Sequence, residues 1–450
     1  MVKGMEESWG MREFKASAVE DKREAKSLAK MADRLLAHPA SSFSGSVGTG
    51  LRKAAWRIFS KEDVDISCGH FEQTALRCRQ HELVLVSQDT TDLSFPDHRR
   101  TTGLGDLGGG KGGVNLGLCL HSAMALTPKG LPLGLVGQKV WAPVATGREK
   151  RHYAYKLEEK ESYCWVETLQ WVSKYLSGAE KVIVVSDRDS DFYEYMAAAR
   201  PANVELLFRA HHLKRNVYLE GRKLHLEALP PTASTWVEVF VPKAKNREER
   251  TAQVQVSWGK IICPPAAQKK GDDIAMWVVK AREPAPASGA TPVEWVLLTT
   301  MAVEDASTAL LMVDYYRRRW IIERWHYVLK QGLQVERLQF DCFRRLSNAI
   351  ALVSVVAWQL LCLKHLAAQH PDIAAAAVLE PLQIEILQKQ KGVRSPTLKQ
   401  ALIAIAALAG FVPSKKQPLP GEKTIWKGWF IFDKMCQGYK LAQQKSYGTG

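Results

Sequence analysis

Hydrophobic residues recur along the chain in three rhythms. Over the first 75 residues the spacing is helical, with Leu28, Met31 and Leu35 on one side behind the charged start Asp21-Lys22-Arg23. A Ser/Gly-rich stretch, Ser41 to Gly50, reads as a loop before a second helix around Arg52-Lys53-Ala54-Ala55-Trp56-Arg57. From residue 80 the pattern becomes that of strands. Leu83-Val84-Leu85-Val86 is a buried-strand run ending in Ser87-Gln88-Asp89, and strands at Leu116 to Leu126 and Leu131 to Val140 follow a glycine-rich loop. A helix over Glu161 to Leu176 leads into Lys181-Val182-Ile183-Val184-Val185-Ser186-Asp187, and after another short helix Val204 to Arg209 is again a strand. Hairpin-ordered strands followed by helix–strand–helix–strand predict a mixed α/β sheet covered by helices. Residues 211–293 carry short strand signals (Val237 to Val241, Ala252 to Trp258, Ile274 to Val279) and a Pro/Ala/Gly-rich loop, Pro284 to Pro292, which together predict a β-rich insertion. Glu294 to Thr299 returns as a strand, and from about residue 340 the chain is helical, Leu/Ala-rich and polar at its end.

The stretch from Asp314 to Lys330 follows a helical period of its own. At about 100° per residue, Tyr316, Arg319, Glu323 and Lys330 fall within roughly 60° of one line. Ile321, Trp325, Val328 and Leu329 form an apolar stripe on the other side. A phenol, a guanidinium, a carboxylate and an ammonium in one row suit a site that holds a metal ion and a phosphate backbone together. The plainer reading of such a face is solvated polar residues with i,i+4 pairs.

Composition changes this picture through charge. The 450 residues carry 62 Lys+Arg against 47 Asp+Glu, a net +15, which suggests a polyanionic partner such as nucleic acid or an acidic membrane surface. Eight cysteines stand singly, with no C-x-x-C pair, which argues against a zinc ribbon or disulfide framework and for a reducing cytoplasm. Met1 to Arg12 is charged and lacks the apolar core of a secretory signal. The longest apolar run, Ala349 to Leu363, is interrupted by Ser354 and Gln359 and reads as a buried helix, so no membrane is expected as partner.

Asp89 and Asp187 each follow a hydrophobic strand run, and Glu323 lies on a helix far downstream. Carboxylates delivered by strands and a helix can converge at one edge of a sheet. Three of them could hold two divalent cations about 3.5–4 Å apart, clamping both oxygens of an in-line phosphoryl transfer. Hard oxygen ligands select Mg²⁺ or Mn²⁺ over zinc. An Asp after a strand is by itself weak, because Asp also caps helices.

The blocks Gln88-Asp89-Thr90-Thr91, Ser186-Asp187-Arg188-Asp189-Ser190-Asp191 and Tyr316-x-x-Arg319-x-x-x-Glu323-x6-Lys330 together resemble the DDE transposases of bacterial insertion sequences. The Tyr-Arg-Glu-Lys spacing is similar to that of the insertion-sequence-four family, the Tn-five-like group. The resemblance implies an RNase H-like core over residues 76–345, with the insertion at about 211–293. It implies a helical end-binding domain over 1–75, where Lys22, Arg23 and Arg57 would meet DNA, and a helical dimerisation region over 346–450. Asp89, Asp187 and Glu323 would be the catalytic metal ligands, holding two Mg²⁺ or Mn²⁺ ions. Arg209 would lie near the active-site DNA, Trp295 would stack on a flipped base, and Tyr316, Arg319 and Lys330 would grip the phosphates around it. Without the resemblance, Trp295 would read as ordinary strand core. The implied activity is cut-and-paste transposition through a hairpin intermediate, by a homodimer that holds the double-stranded inverted-repeat ends and target DNA in the bacterial cytoplasm, at the nucleoid.

Several other features lead nowhere. Gly108 to Gly113 lacks the order of a phosphate loop and reads as a mobile loop that could close over DNA, while His121, His211 and His212 lack partners at zinc-ligand spacing. Two further readings keep the chain's features: an RNase H-like metal nuclease or resolvase, and a non-catalytic DNA-binding derivative. The first leaves Trp295 and the Tyr316/Arg319/Lys330 row unexplained, the second the intact carboxylates.

Overall fold

The computed structural model describes residues 7–39, 41–98, 100–108, 114–143, 156–230, 232–241, 249–265, 270–286, 291–391, 395–415 and 417–446. Helices come first: α1 (Trp9–Phe14), α2 (Lys22–Ala37), α3 (Phe43–Phe59) and α4 (Cys68–Cys78). The Asp21 side chain caps α2 by accepting from the Arg23 N–H, and the Ser42 hydroxyl caps α3 by accepting from that of Gly45. The Ser/Gly-rich stretch expected to be a loop is therefore largely the first half of α3. Gly48, at φ 74, kinks the helix without ending it, a conformation that costs glycine little.

The central sheet follows. Its first part comprises β1 (Val84–Ser94), β2 (Gly105–Asp106), β3 (Leu116–Leu126), β4 (Pro132–Trp141), α5 (Tyr163–Tyr175), β5 (Val182–Ser186), α6 (Tyr193–Met196) and β6 (Val204–Arg209). β1 runs antiparallel to β3 and β3 to β4, while β5 is parallel to β1 and β6 to β5, giving the order β4-β3-β1-β5-β6. β1 is longer than its hydrophobic run. It continues past Asp89 because β3 pairs with it as far as Ser94↔Gly117, so Asp89 lies within the strand and not after it. The glycine-rich loop expected to be mobile lies, at 109–113, outside the described residues.

The insertion is β-rich, as its pattern predicts: β7 (Asn216–Leu219), β8 (Arg222–His225), β9 (Ala233–Val241), β10 (Arg250–Cys263) and β11 (Ile274–Arg282). It does not form a separate layer. β12 (Glu294–Thr299) pairs antiparallel with both β6 and β11, so the inserted strands prolong the same sheet. The remaining helices are α7 (Ala306–Arg318), α8 (Trp320–Tyr327), α9 (Phe343–Gln369), α10 (Pro381–Lys391), α11 (Leu398–Ala407) and α12 (Glu422–Ser446). The single helix expected from Tyr316 to Lys330 is interrupted twice. α7 gives way to α8 at Arg319, and Val328–Gly332 opens into a π turn that carries Lys330.

Alternation along the strands sorts the core. Leu85, Leu93, Leu118, Leu120 and Met124 face α8, α9 and the N-terminal helices, while Val84, Val86, Ala123 and Ala125 pack under α5. α9 has the length and apolarity to cross a membrane, yet 78% of its most apolar window is buried within the fold, as expected for the run from Ala349 to Leu363.

One polar network joins the N-terminal helices to this core. Glu13 of α1 is 1% exposed; it accepts from His70 Nδ1 at 2.6 Å and pairs with Arg77 at 2.8 Å. His70 Nε2 accepts from the Leu135 N–H of β4 at 2.9 Å, and Arg77 Nε donates to the Leu133 carbonyl while its guanidinium lies over the Trp358 ring of α9. His70 is thus a neutral Nδ1–H tautomer, consistent with burial lowering its pKa. Burial would raise the Glu13 carboxyl, but the His70 and Arg77 contacts outweigh it and hold it at about 2. Its folded pKa lies below its ordinary 4.5, so its contribution is complete above pH 4.5 and is lost as pH falls toward 2. Glu13→Ala should lower the unfolding free energy by about 3–5 kcal/mol, because it strands a buried imidazole and guanidinium. Chemical denaturation at pH 7 checks this, and a loss under 1 kcal/mol would show the network to be dispensable.

Candidate active site

Asp89 projects from the middle of β1, in register with Ser122 of β3, on the sheet face that receives α8. Asp187 follows the last residue of β5, the neighbour of β1, and its carboxylate caps the next turn by accepting from the Asp189 N–H at 2.9 Å. Glu323 comes from α8, whose position is fixed by Trp325: the indole is fully buried and its N–H donates to the Ser354 carbonyl of α9 at 3.2 Å. Two adjacent parallel strands and one covering helix thus bring the three acids together.

Arg319 lies among them. Its Nη2 donates to Glu323 Oε1 at 2.5 Å, and its Nη1 is 3.6 Å from Asp89 Oδ1. The Asp89 side chain is only 13% exposed. Burial raises its carboxyl to about 7; Arg319 opposes the shift, while Asp187 and Glu323 add to it. Burial likewise raises Asp187, against its hydrogen bond from Asp189. For Arg319, burial disfavours the charge, but Asp89, Tyr316, Glu323 and Asp187 together hold its pKa above the ordinary value. The site is short of positive charge even with Arg319 in it, and its donors are hard oxygens of the kind that take Mg²⁺ or Mn²⁺. In that chemical sense the residues fit a divalent metal. As they stand, no three acid, imidazole or thiol groups among the described residues are spaced to hold an ion.

The other expected site residues divide into two groups. Tyr316, 5% exposed, sets its ring edge-on to that of Trp295 with centroids 5.5 Å apart, so Trp295 is half-buried beside the carboxylates. Arg209, at the end of β6, donates to the Glu294 carbonyl at 2.9 Å and neighbours Tyr316 and Arg188. Lys330 is half-buried, and its charge bears on His326 beside Asp89. The row is not a solvated face, since Tyr316 and Arg319 are buried against the sheet. Lys22, Arg23 and Arg57 instead lie exposed on α2 and α3 of the N-terminal module, with Arg57 3.6 Å from Glu24.

Sequence reading missed His326. It sits three residues after Glu323, on the same side of α8, with Nδ1 3.7 Å from Asp89 Oδ2. Burial pushes the imidazole down to about 3, so it faces Asp89 as a neutral ring and not as an ion-pair partner. The Glu-x-x-His spacing was the available signal. His121 lies on the other sheet face, bonded to Thr90 and edge-on to Trp165.

Residues 162–360 match the family model described as the transposase DDE domain. The match spans a little under half of the chain and contains Asp187 and Glu323, with Asp89 upstream of it. It supports the general reading of a DDE transposase, a class of enzyme that binds, cuts and joins DNA and in general uses divalent metal ions.

The raised Asp89 carboxyl has a consequence for stability. Because its folded pKa of about 7 exceeds the ordinary 3.8, the folded state holds the proton more tightly, and stability falls as pH rises from 3.8 through 7. In chelator at pH 8, Asp89→Asn should therefore melt higher than the parent by about 2 °C or more. The difference should vanish near pH 4. Equal melting curves at pH 8 would show that the Asp89 charge is not frustrated.

Proposed function

We propose that this protein is a cut-and-paste DNA transposase of the insertion-sequence-four type with an RNase H-like catalytic core. The observation that carries the reading is the meeting of Asp89, Asp187 and Glu323 around Arg319, beneath the Trp295–Tyr316 ring pair. The order β4-β3-β1-β5-β6, with three antiparallel strands and two parallel ones, supports the RNase H-like assignment.

In this reading Asp89, Asp187 and Glu323 hold two Mg²⁺ (or Mn²⁺) ions. Bound there, the metals would lower the pKa of water and stabilise the attacking and leaving oxygens of a phosphodiester. The chain's own groups do the rest. Tyr316, Arg319 and Lys330 would grip phosphates of the transposon end with Arg209 close by, while Trp295, packed against the buried Tyr316 ring, would offer a face on which an unpaired base can stack, worth ~1–3 kcal/mol. One site then serves nicking, hairpin formation, hairpin opening and strand transfer, because each is a phosphodiester exchange. The exposed cations Lys22, Arg23 and Arg57 of a helical module over 1–75 would bind the inverted-repeat ends. Phe430, Ile431, Met435 and Leu441, exposed along α12, supply an apolar stripe suited to pairing two copies in a homodimer. The protein would act on DNA in the cytoplasm.

Asp89→Asn, Asp187→Asn and Glu323→Gln should each abolish strand cleavage with Mg²⁺ while leaving end binding intact, measured by gel shift and cleavage on the same end duplex. A variant that cleaves at the parent rate removes its residue from the metal set. Arg23→Ala and Arg57→Ala should weaken end binding and lower its salt dependence by roughly one unit of slope each. Undiminished binding by a chain lacking residues 1–75 would overturn that assignment. Trp295→Ala should spare the first nick but slow hairpin formation or opening by about tenfold or more, as loss of stacking requires. A gel that resolves nicked, hairpin and double-cut products decides the matter. Uniform slowing would make Trp295 a core residue, and the absence of a hairpin from the parent would favour a plain nuclease.

A further inference from the structure

We propose that Arg319 is a place-holding counter-ion: in the DNA-free protein its guanidinium occupies the space between Asp89 and Glu323 that a divalent cation would take, and it must leave before metal enters. The inference rests on the reading of those acids as metal ligands and concerns the state that precedes DNA binding.

The geometry is that of competition. Arg319 Nη2 is bonded to Glu323 Oε1 at 2.5 Å and Nη1 faces Asp89 Oδ1 at 3.6 Å, so one cation already engages oxygens from both β1 and α8. A Mg²⁺ ion needs such oxygens at about 2.0–2.1 Å, and a guanidinium lying between the two carboxylates stands where an ion bridging them would sit. Charge adds to the exclusion, since a fixed cation repels an incoming dication strongly in a site this dry. The same arginine is poorly settled as a permanent structural group. Its side chain is only 10% exposed, yet Nε and Nη1 are buried without a hydrogen-bond partner, and a buried cation normally completes its donor set. It also sits at the junction of α7 and α8, where its own N–H reaches the Tyr316 carbonyl three residues back and not four. An arriving phosphate would satisfy the idle donors and draw the guanidinium off the carboxylates, so that DNA binding and metal entry would favour each other.

The test is Mn²⁺ binding to the full chain without DNA, followed by calorimetry and by the free-ion electron paramagnetic resonance signal. Arg319→Gln should bind Mn²⁺ about tenfold tighter or more than the parent, as expected when a competing unit charge leaves. Adding Glu323→Gln should erase the gain. A purely structural arginine would give the opposite result, because its loss would loosen the acids and weaken binding. Should Arg319→Gln unfold, Arg319→Met keeps the packed stem and carries the same comparison. Unchanged or weaker Mn²⁺ binding that still depends on Glu323 overturns the place-holder and leaves the proposed function standing. Binding that ignores Glu323 in every variant would overturn both.

Discussion

The constraint on which this structure turns is the crowding of like charges in a place with little water. Burial raises the cost of ionising Asp89 and Asp187, the neighbouring carboxylates add to it, and Arg319 relieves only part of it. Such a site does not hold itself together, so the scaffold must do so. β1 is clamped between β3 on one side and β5 on the other, which removes any freedom for Asp89 and Asp187 to drift apart. α8 is held against the sheet by Trp325 and, through it, by α9, whose most apolar stretch is largely buried within the fold. The large core beneath the site is what allows a repulsive arrangement to persist.

Much of this was legible in the sequence for a simple reason. Strands buried on both faces read as unbroken runs of Val, Ile and Leu, so β1, β5 and β6 announced themselves, and with them the approximate places of Asp89, Asp187 and Arg209. What the pattern could not show depends on partners remote in sequence. β1 extends through polar residues because β3 offers it a ladder, and no local signal encodes that. α3 starts among serines and glycines because Ser42 supplies a cap and the helix packs against α2 and α9. Glu13 and His70 look like surface residues until each is seen to complete the other's hydrogen bonds.

The site itself was half legible. The spacing put Tyr316, Arg319 and Glu323 on one side of a single helix, whereas Tyr316 lies in the last turn of α7, Arg319 is the junction and Glu323 lies on α8, and periodicity cannot say whether a polar row faces water or a sheet. Here it faces the sheet, and that burial turns a row of ordinary charges into a strongly coupled set. His326 escaped notice because a histidine on a helix is usually a satisfied core or surface group, and only the approach of β1 brings it to Asp89.

The last helix bears on the order in which such a molecule can be made. Glu422, at the start of α12, pairs with Arg324, the residue beside Glu323, and with Lys364 of α9, while Asp433 further along meets His38 and Ser41 from the N-terminal module. A ribosome delivers Asp89 early, Glu323 late and these braces last of all. A nascent or prematurely terminated chain thus already displays its basic N-terminal helices while still lacking the third carboxylate and the contacts that steady it. Settling of α8 therefore waits on the last stretch of the chain, and translation interrupted before Glu422 would leave Arg324 and Lys364 without their shared carboxylate.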